Sequence, residues 1–402
     1  MSHKKSEPGR VAPVIPHPTR PGSEEKKTIF ITLVSLAVCC PEVPITAAIQ
    51  TIISYNLQMV KMSSIFELLP SQSGFGNLKL DSRGPSLCRP TSANDNSRIE
   101  LESTDCPLCG SNRRSLLVAA SDWDAPPPRP CFSVVRCLDC DLCYTNPRPD
   151  ASEIGRFYYD DYAPHQPAAA LPKNPGAWNK RRGIIFKKQS NWERGEIDPV
   201  GECRLLDFGC GTGLFLQRMH NRGWQAVGLD CSEKVVRYVR DELKLPAFAG
   251  TLPHPVFPPG SFDLVTFWHA LEHVHRPLEV LGEVRNLLAP GGKVLVAVPN
   301  IEGMPFRWFG SAWFGLDLPR HLTHFTPATL RKMLDRAGFE FEAMQMARHS
   351  YWLRQSVRLA SRRGAISPPL GLLKFRLPSS ILSRCCLLAG RPDSFVVMAR
   401  KR

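Results

Sequence analysis

The chain has 402 residues, 43% of them hydrophobic, and a formal net charge of +14. That length and apolar content suit two or three folded domains and exclude a globally disordered chain. The charge is local: residues 101–300 carry equal numbers of acidic and basic side chains, whereas residues 343–402 hold 12 Lys and Arg against one Asp, which excludes a uniformly basic nucleic-acid grip. Fourteen cysteines, four of them in two Cys-x-x-Cys pairs, point to metal binding plus core thiols and not to a secreted disulfide framework. No stretch approaches the roughly 20 continuous apolar residues that span a bilayer. The 12-residue run Ile29–Cys40 follows Lys26-Lys27 but leads to no small-x-small cleavage site, so a cytoplasmic chain is expected.

Residues 1–100 read as a flexible leader. Pro8, Pro13, Pro16, Pro18 and Pro21 keep its start extended, and Ser71–Asn96 is rich in Ser, Gly and Asn. Met62 offers a later start for the chain. Residues 101–150 form a zinc-ribbon-like module. Cys106-Pro-Leu-Cys109 and Cys137-Leu-Asp-Cys140 are two knuckles whose thiolates suit one tetrahedral zinc, with Gly110 and Asp141 at left-handed turn positions. With four protein ligands and no open position, this zinc is structural. Residues 151–200 form a connecting arm with the aromatic patch Phe157-Tyr158-Tyr159 and a basic helical stretch, Trp178–Trp192.

From Cys203 the chain alternates strand and helix, the rhythm of a parallel sheet. Strands are predicted at Leu205–Phe208, Gln225–Leu229, Ala247–Ala249, Phe262–Phe267, Lys293–Val298, Phe341–Met346 and Ser394–Ala399. Helices are predicted at Leu214–Arg222, from the Ser232 cap to Leu243, at Pro277–Leu288, and from the Thr326 cap to Ala337, where Gly338 ends it. Residues 201–350 thus form a core, 351–391 a basic apolar insert, and 392–402 a final core strand.

The first strand ends in Asp207-Phe-Gly209-Cys-Gly211-Thr-Gly213. A glycine turn between a parallel strand and a helix lets the backbone approach a nucleotide-like ligand closely. A dinucleotide fingerprint needs a third glycine at the position of Leu214, which argues against NAD and FAD. Asp230, at the end of the next strand, is placed to accept a ribose hydroxyl pair.

These features, with Gly260-Ser-Phe-Asp-Leu-Val265, Ala270-Leu-Glu-His-Val274 and Leu288-Ala-Pro-Gly-Gly-Lys293, resemble a class I S-adenosylmethionine-dependent methyltransferase. They are similar to the small-molecule branch that includes ubiquinone-biosynthesis O-methyltransferases. The cysteine pairs followed by Tyr144-Thr-Asn-Pro-Arg-Pro149, and Asp317-Leu-Pro-Arg-His-Leu-Thr-His-Phe325, resemble members with an N-terminal zinc ribbon. The resemblance implies an α/β fold: a Rossmann-like seven-stranded methyltransferase sheet with a small zinc ribbon. It implies that Gly209, Gly211 and Gly213 wrap the methionine part of S-adenosyl-L-methionine, that Asp207 supports the turn and the cofactor amine, and that Asp230 takes the ribose. Thr251 stands where the family often has an acidic residue near adenine, and Trp268 with His269 would line the sulfonium and acceptor pocket. Phe267-Trp-His-Ala270 does not match the Asn/Asp-Pro-Pro-aromatic motif of many amine-methylating enzymes.

Methyl transfer to oxygen or acidic carbon needs a base, and histidine titrates in the useful range. Of the histidines between 269 and 324, His269 and His321 are the catalytic candidates. Ile301–Leu318, with Trp308, Phe309, Trp313 and Phe314, reads as an aromatic lid. The insert carries cations among apolar runs and suits peripheral contact with an anionic membrane. The expected activity is methylation of a small or lipid-like acceptor, with nucleic acid disfavoured. The alternatives are an RNA methyltransferase gripping phosphates with ribbon and tail, and a non-catalytic zinc-ribbon interaction protein.

Overall fold

Alternating apolar side chains drive the central sheet. Leu205 packs on one face of the first core strand and Leu206 and Phe208 on the other, the period-two pattern of a strand buried on both sides. The computed structural model describes residues 99–125, 129–159, 197–199, 201–362 and 371–402. The leader and the basic stretch Trp178–Trp192 lie outside the described residues.

The seven strands of this sheet are β6 (Arg204–Phe208), β7 (Gln225–Asp230), β8 (Ala247–Ala249), β9 (Phe262–Trp268), β10 (Leu288–Pro299), β12 (Phe339–Ala347) and β13 (Ser394–Lys401). Their order is β12-β13-β10-β9-β6-β7-β8. Only β13 runs antiparallel to its neighbours, β10 and β12. Helices α1 (Leu214–His220), α2 (Glu233–Asp241) and α3 (Pro277–Leu287) connect the parallel strands. The Ala289–Gly292 turn expected before the fifth core strand lies inside β10, as a register shift between Leu288 and Lys293 in its pairing with β9. Ser232 caps α2 by accepting from the Val235 amide. Thr326 and Thr329 form a reciprocal cap on α5 (Pro327–Arg336), worth about 1 kcal/mol. Between β10 and α5 lies the short α4 (Met304–Phe309), and the insert contributes α6 (Ser350–Arg362) and α7 (Arg376–Leu388).

The cysteine module is not a separate bead. Its strands β2 (Arg114–Ser121), β3 (Cys131–Cys137) and β4 (Cys143–Thr145) form a sheet whose fourth member is β11 (Thr323–His324), from the core. Beside it, β1 (Leu101–Glu102) pairs with β5 (Arg148–Pro149). Helix α5 also grips both knuckles. Lys332 Nζ donates to the Cys140 carbonyl at 3.1 Å, and Arg336 Nη1, one turn on, donates to the Leu108 carbonyl at 2.7 Å. The expected lid is instead a packed third core. Trp313 and Phe309 are buried with Phe132, Val134 and Phe157 of the ribbon side and Leu353 of α6. Each such burial stabilises by about 1.5–3 kcal/mol, which explains why these aromatics fold inward.

Candidate active site

Where β6 ends, Gly209 and Gly213 both have φ of +71°, a region that a side chain strains. Space is equally tight. A Cβ on Gly209 would lie 2.7 Å from the Ala270 methyl, and one on Gly213 would lie 2.7 Å from Leu243. Gly211 donates its amide to Asp230 Oδ2 at 3.0 Å, and Ser232 donates its amide to Oδ1 at 2.9 Å. Each carboxylate oxygen keeps a further lone pair for a ligand hydroxyl. Asp207 is buried and accepts from Thr266 Oγ1 at 2.7 Å. Burial pushes its carboxyl up to about 7, and Asp230 adds to the rise. A buried acid so poised fits a positively charged ligand group, which would restore its ionised form. Thr251 is exposed just after β8. The Trp268 indole N–H is buried without a hydrogen-bond partner, and its ring lies 4.9 Å from that of Phe215. Together these groups fit S-adenosylmethionine: a glycine-rich turn, a carboxylate for ribose, and a buried acid for the amine.

Beyond Trp268 the backbone turns sharply. His269 has φ of +54°, a conformation costing of order 1 kcal/mol in a non-glycine residue and common at functional sites. The turn brings His269 Nδ1 to 3.3 Å from Glu272 Oε1. Glu272 is fully buried, its Oε2 has no hydrogen-bond partner, and its carbonyl accepts from the Leu322 amide at 2.8 Å. His321 Nδ1 lies 3.0 Å from the Gly315 carbonyl, and its ring is 4.6 Å from that of His273. Ligand atoms of Glu272, His273 and His321 all lie within 4.8 Å of one another. Both histidines expected to be catalytic therefore face one carboxylate. A carboxylate with neutral imidazoles can hold a proton in transit, and the same donors suit a divalent cation.

Glu272 and the ion pairs around Arg320 escaped the sequence reading. The visible signal was Glu272 three residues after His269, which a tight helical turn brings onto the same face. Arg320 is buried and donates to Asp317 Oδ1 at 2.6 Å, Asp124 Oδ2 at 2.8 Å and the Phe157 carbonyl at 2.9 Å, with Asp122 Oδ1 at 3.5 Å. Burial alone would raise the Asp317 carboxyl, but the Arg320 guanidinium holds it well below the usual range. At the ribbon, Cys106 and Cys140 sulfurs are 3.4 Å apart and those of Cys109 and Cys137 3.5 Å apart, all four within 4.8 Å of one another. Gly110 and Asp141 take the expected left-handed φ, 77° and 69°. Four sulfurs so close fit a single tetrahedral, thiol-seeking cation.

Residues 159–343 match the family model described as "Methyltransferase domain". A ubiquinone biosynthesis O-methyltransferase from Xanthomonas euvesicatoria pv. vesicatoria is 31% identical over 174 residues, 40% of this chain and 71% of that protein. The enzyme of that name from Xylella fastidiosa is 25% identical over 232 residues, 52% of this chain and 87% of its own. Among solved structures, an S-adenosylmethionine dependent methyltransferase from Mesorhizobium loti aligns with 53% of this chain and 98% of its own at 22% identity, with a TM-score of 0.37. The chain belongs to the class I S-adenosylmethionine-dependent methyltransferases. It is an enzyme of that class, and the seven-stranded sheet with one antiparallel strand next to the edge is the fold expected of it.

The histidines set an acid limit on stability. Burial lowers His273 and His321 from 6.5 to about 4 and His324 to about 3, and the His321 charge adds to the depression of His273 and His324. As pH falls below 6.5 the unfolded chain protonates these groups first, so it binds more protons than the folded chain and stability drops until their folded pKa values are reached. Each group contributes up to about 1.4 kcal/mol per pH unit in that window. Urea midpoints are expected to fall between about pH 6.5 and 4, less steeply than three histidines alone would give, because Asp207, raised to about 7, has the opposite slope in that window. The slope should be shallower in His324→Gln; equal slopes in the two proteins would contradict this assignment.

Proposed function

We propose that this enzyme methylates oxygen, or an acidic carbon, of a small or lipid-like acceptor, and that His269 is the base. The observation that carries the reading is the buried Glu272 carboxylate facing His269 Nδ1 at 3.3 Å, beside the end of the strand that carries Trp268. A carboxylate accepts from Nδ1–H, so Nε2 is left as the proton acceptor. When bound, S-adenosylmethionine supplies a methyl group on a good sulfonium leaving group. The acceptor proton passes to His269 Nε2, and Glu272 stabilises the resulting imidazolium without leaving its place. His321 acts beside it. Its Nδ1–H donates to the Gly315 carbonyl, its Nε2 faces Asp317 Oδ2 at 3.8 Å, and burial keeps the ring neutral down to about 4, so it walls the space beside His269 as an uncharged ring. Asp207, Gly209, Gly211, Gly213, Asp230, Thr251 and Trp268 form the cofactor side of this reading. Two relatives named as ubiquinone biosynthesis O-methyltransferases support an oxygen acceptor on an apolar molecule. Among the described residues no helix is long and apolar enough to cross a membrane.

Methyl-labelled S-adenosylmethionine incubated with the enzyme and a lipid extract tests this. Label is expected in the organic phase, with kcat lower by about 10²–10⁴ in His269→Ala and a smaller loss in His321→Ala. Label recovered in RNA, or full turnover after both replacements, would contradict it.

We assign zinc to Cys106, Cys109, Cys137 and Cys140 on the same footing. The purified protein is expected to carry one zinc per chain by elemental mass spectrometry. Cys140→Ser should lose the metal and lower the melting temperature. A metal-free protein of unchanged stability would contradict the assignment.

A further inference from the structure

Helix α7 is amphipathic in the reverse sense. Its inward face carries Ser379, Ser380, Ser383 and Cys386, all buried, while Leu377, Ile381 and Leu388 are 62%, 41% and 73% exposed. At the helical period, positions 377, 381, 384 and 388 fall within roughly 60° of one another, so the exposed apolar residues form one stripe with Arg384 in it. Hydrogen bonds fix this orientation. Arg348 Nη1 donates to Ser383 Oγ at 2.8 Å, and Arg354 Nη1 donates to Ser379 Oγ at 3.2 Å. The serine face is therefore committed to the protein and the leucine face to whatever lies outside. Leu372 and Phe375, 40% and 54% exposed, continue the apolar surface before the helix.

Charge selects the occupant. Lys374, Arg376 and Arg384 are exposed on this segment, and Lys374 Nζ sits 5.1 Å over the Phe375 ring. The one acidic residue in 343–402, Asp393, is 1% exposed, so this segment itself presents no acidic side chain at the surface. A second copy docked across a two-fold axis would bring like charges together along the stripe. Nucleic acid would meet the cations but leave the leucines in water. A bilayer with anionic headgroups satisfies both: the apolar side chains enter the acyl boundary and the cations pair with phosphates.

We propose that the outer face of α7, with Leu372–Phe375, docks on an anionic lipid surface. The placement suits the site. Helix α7 packs on α6, whose Trp352 ring lies 5.3 Å from that of His269, so the docked face is the outer side of the layer that walls the histidine cluster. The inference stands on this surface and not on the identity of the acceptor.

Co-sedimentation of the full-length protein with phosphatidylcholine vesicles, with and without phosphatidylglycerol, tests it. Binding is expected to the anionic vesicles alone. Leu377→Ser with Ile381→Ser should weaken it about tenfold or more, and Lys374→Glu with Arg384→Glu should weaken it at least comparably. Both variants should keep the wild-type affinity for S-adenosylhomocysteine, because every replaced side chain is on the outer face of this segment and none lies in the glycine turn. No partition by the wild type, or equal partition by the variants, would overturn the proposal. So would a solution dimer that the Leu377→Ser, Ile381→Ser variant dissociates, since that would give the face to a second copy.

Discussion

The buried guanidinium of Arg320 is the contact on which the rest of the site depends. A cation taken out of water is costly unless carboxylates surround it, and removing a partner from such a group typically costs about 3–5 kcal/mol. Here two carboxylates, Asp122 and Asp124, come from the end of ribbon strand β2, and the third, Asp317, comes from the core segment after β10. The pairs therefore fix two modules and one active-site segment at once. Immediately downstream, Leu322 bonds the Glu272 carbonyl, and Thr323 and His324 complete the ribbon sheet against β4. Thr145 locks the junction: its hydroxyl donates to the His321 carbonyl at 2.7 Å and lies 3.1 Å from His324 Nε2. The ribbon thus acts as a wall that holds His321 in register with His269.

Two opposite electrostatic conditions meet across this wall. On the cofactor side, burial leaves Asp207 short of a positive neighbour and raises it to about 7. At the histidine cluster, burial strips charge from His273, His321 and His324 and keeps them neutral at physiological pH. One side is arranged to receive a cation, and on the other burial disfavours one.

Local patterns made much of this legible. The Asp207–Gly213 turn, Asp230 at the end of β7, the Ser232 and Thr326 caps and the two cysteine knuckles all depend on residues close in sequence, and each stands where its spacing predicted. What escaped depends on distant partners. Strand β11 is two residues long and has no pattern of its own; it is a strand because β4, some 180 residues earlier, pairs with it. Trp313 reads as a lid by composition but is drawn into the third core by ribbon and insert side chains. The insert's mixture of leucines and arginines suggested a membrane contact, but which face of α7 turns inward is decided by Arg348 and Arg354, outside that helix. Arg320 stands in the motif Asp317–Phe325, but its ribbon partners Asp122 and Asp124 lie 198 and 196 residues away, so its burial left no local signal.

Cofactor binding at the glycine turn is the step that Asp207 reports directly. Calorimetric titration with S-adenosylhomocysteine, in buffers of different ionisation enthalpy, counts the protons exchanged on binding. With the carboxyl near 7 before binding, and a ligand amine favouring its ionised form, about half a proton should be released at neutral pH. The release should vanish in Asp207→Asn. Absence of binding would contradict a cofactor site at Asp207–Gly213, and binding with no proton release would contradict the pairing of Asp207 with the ligand amine.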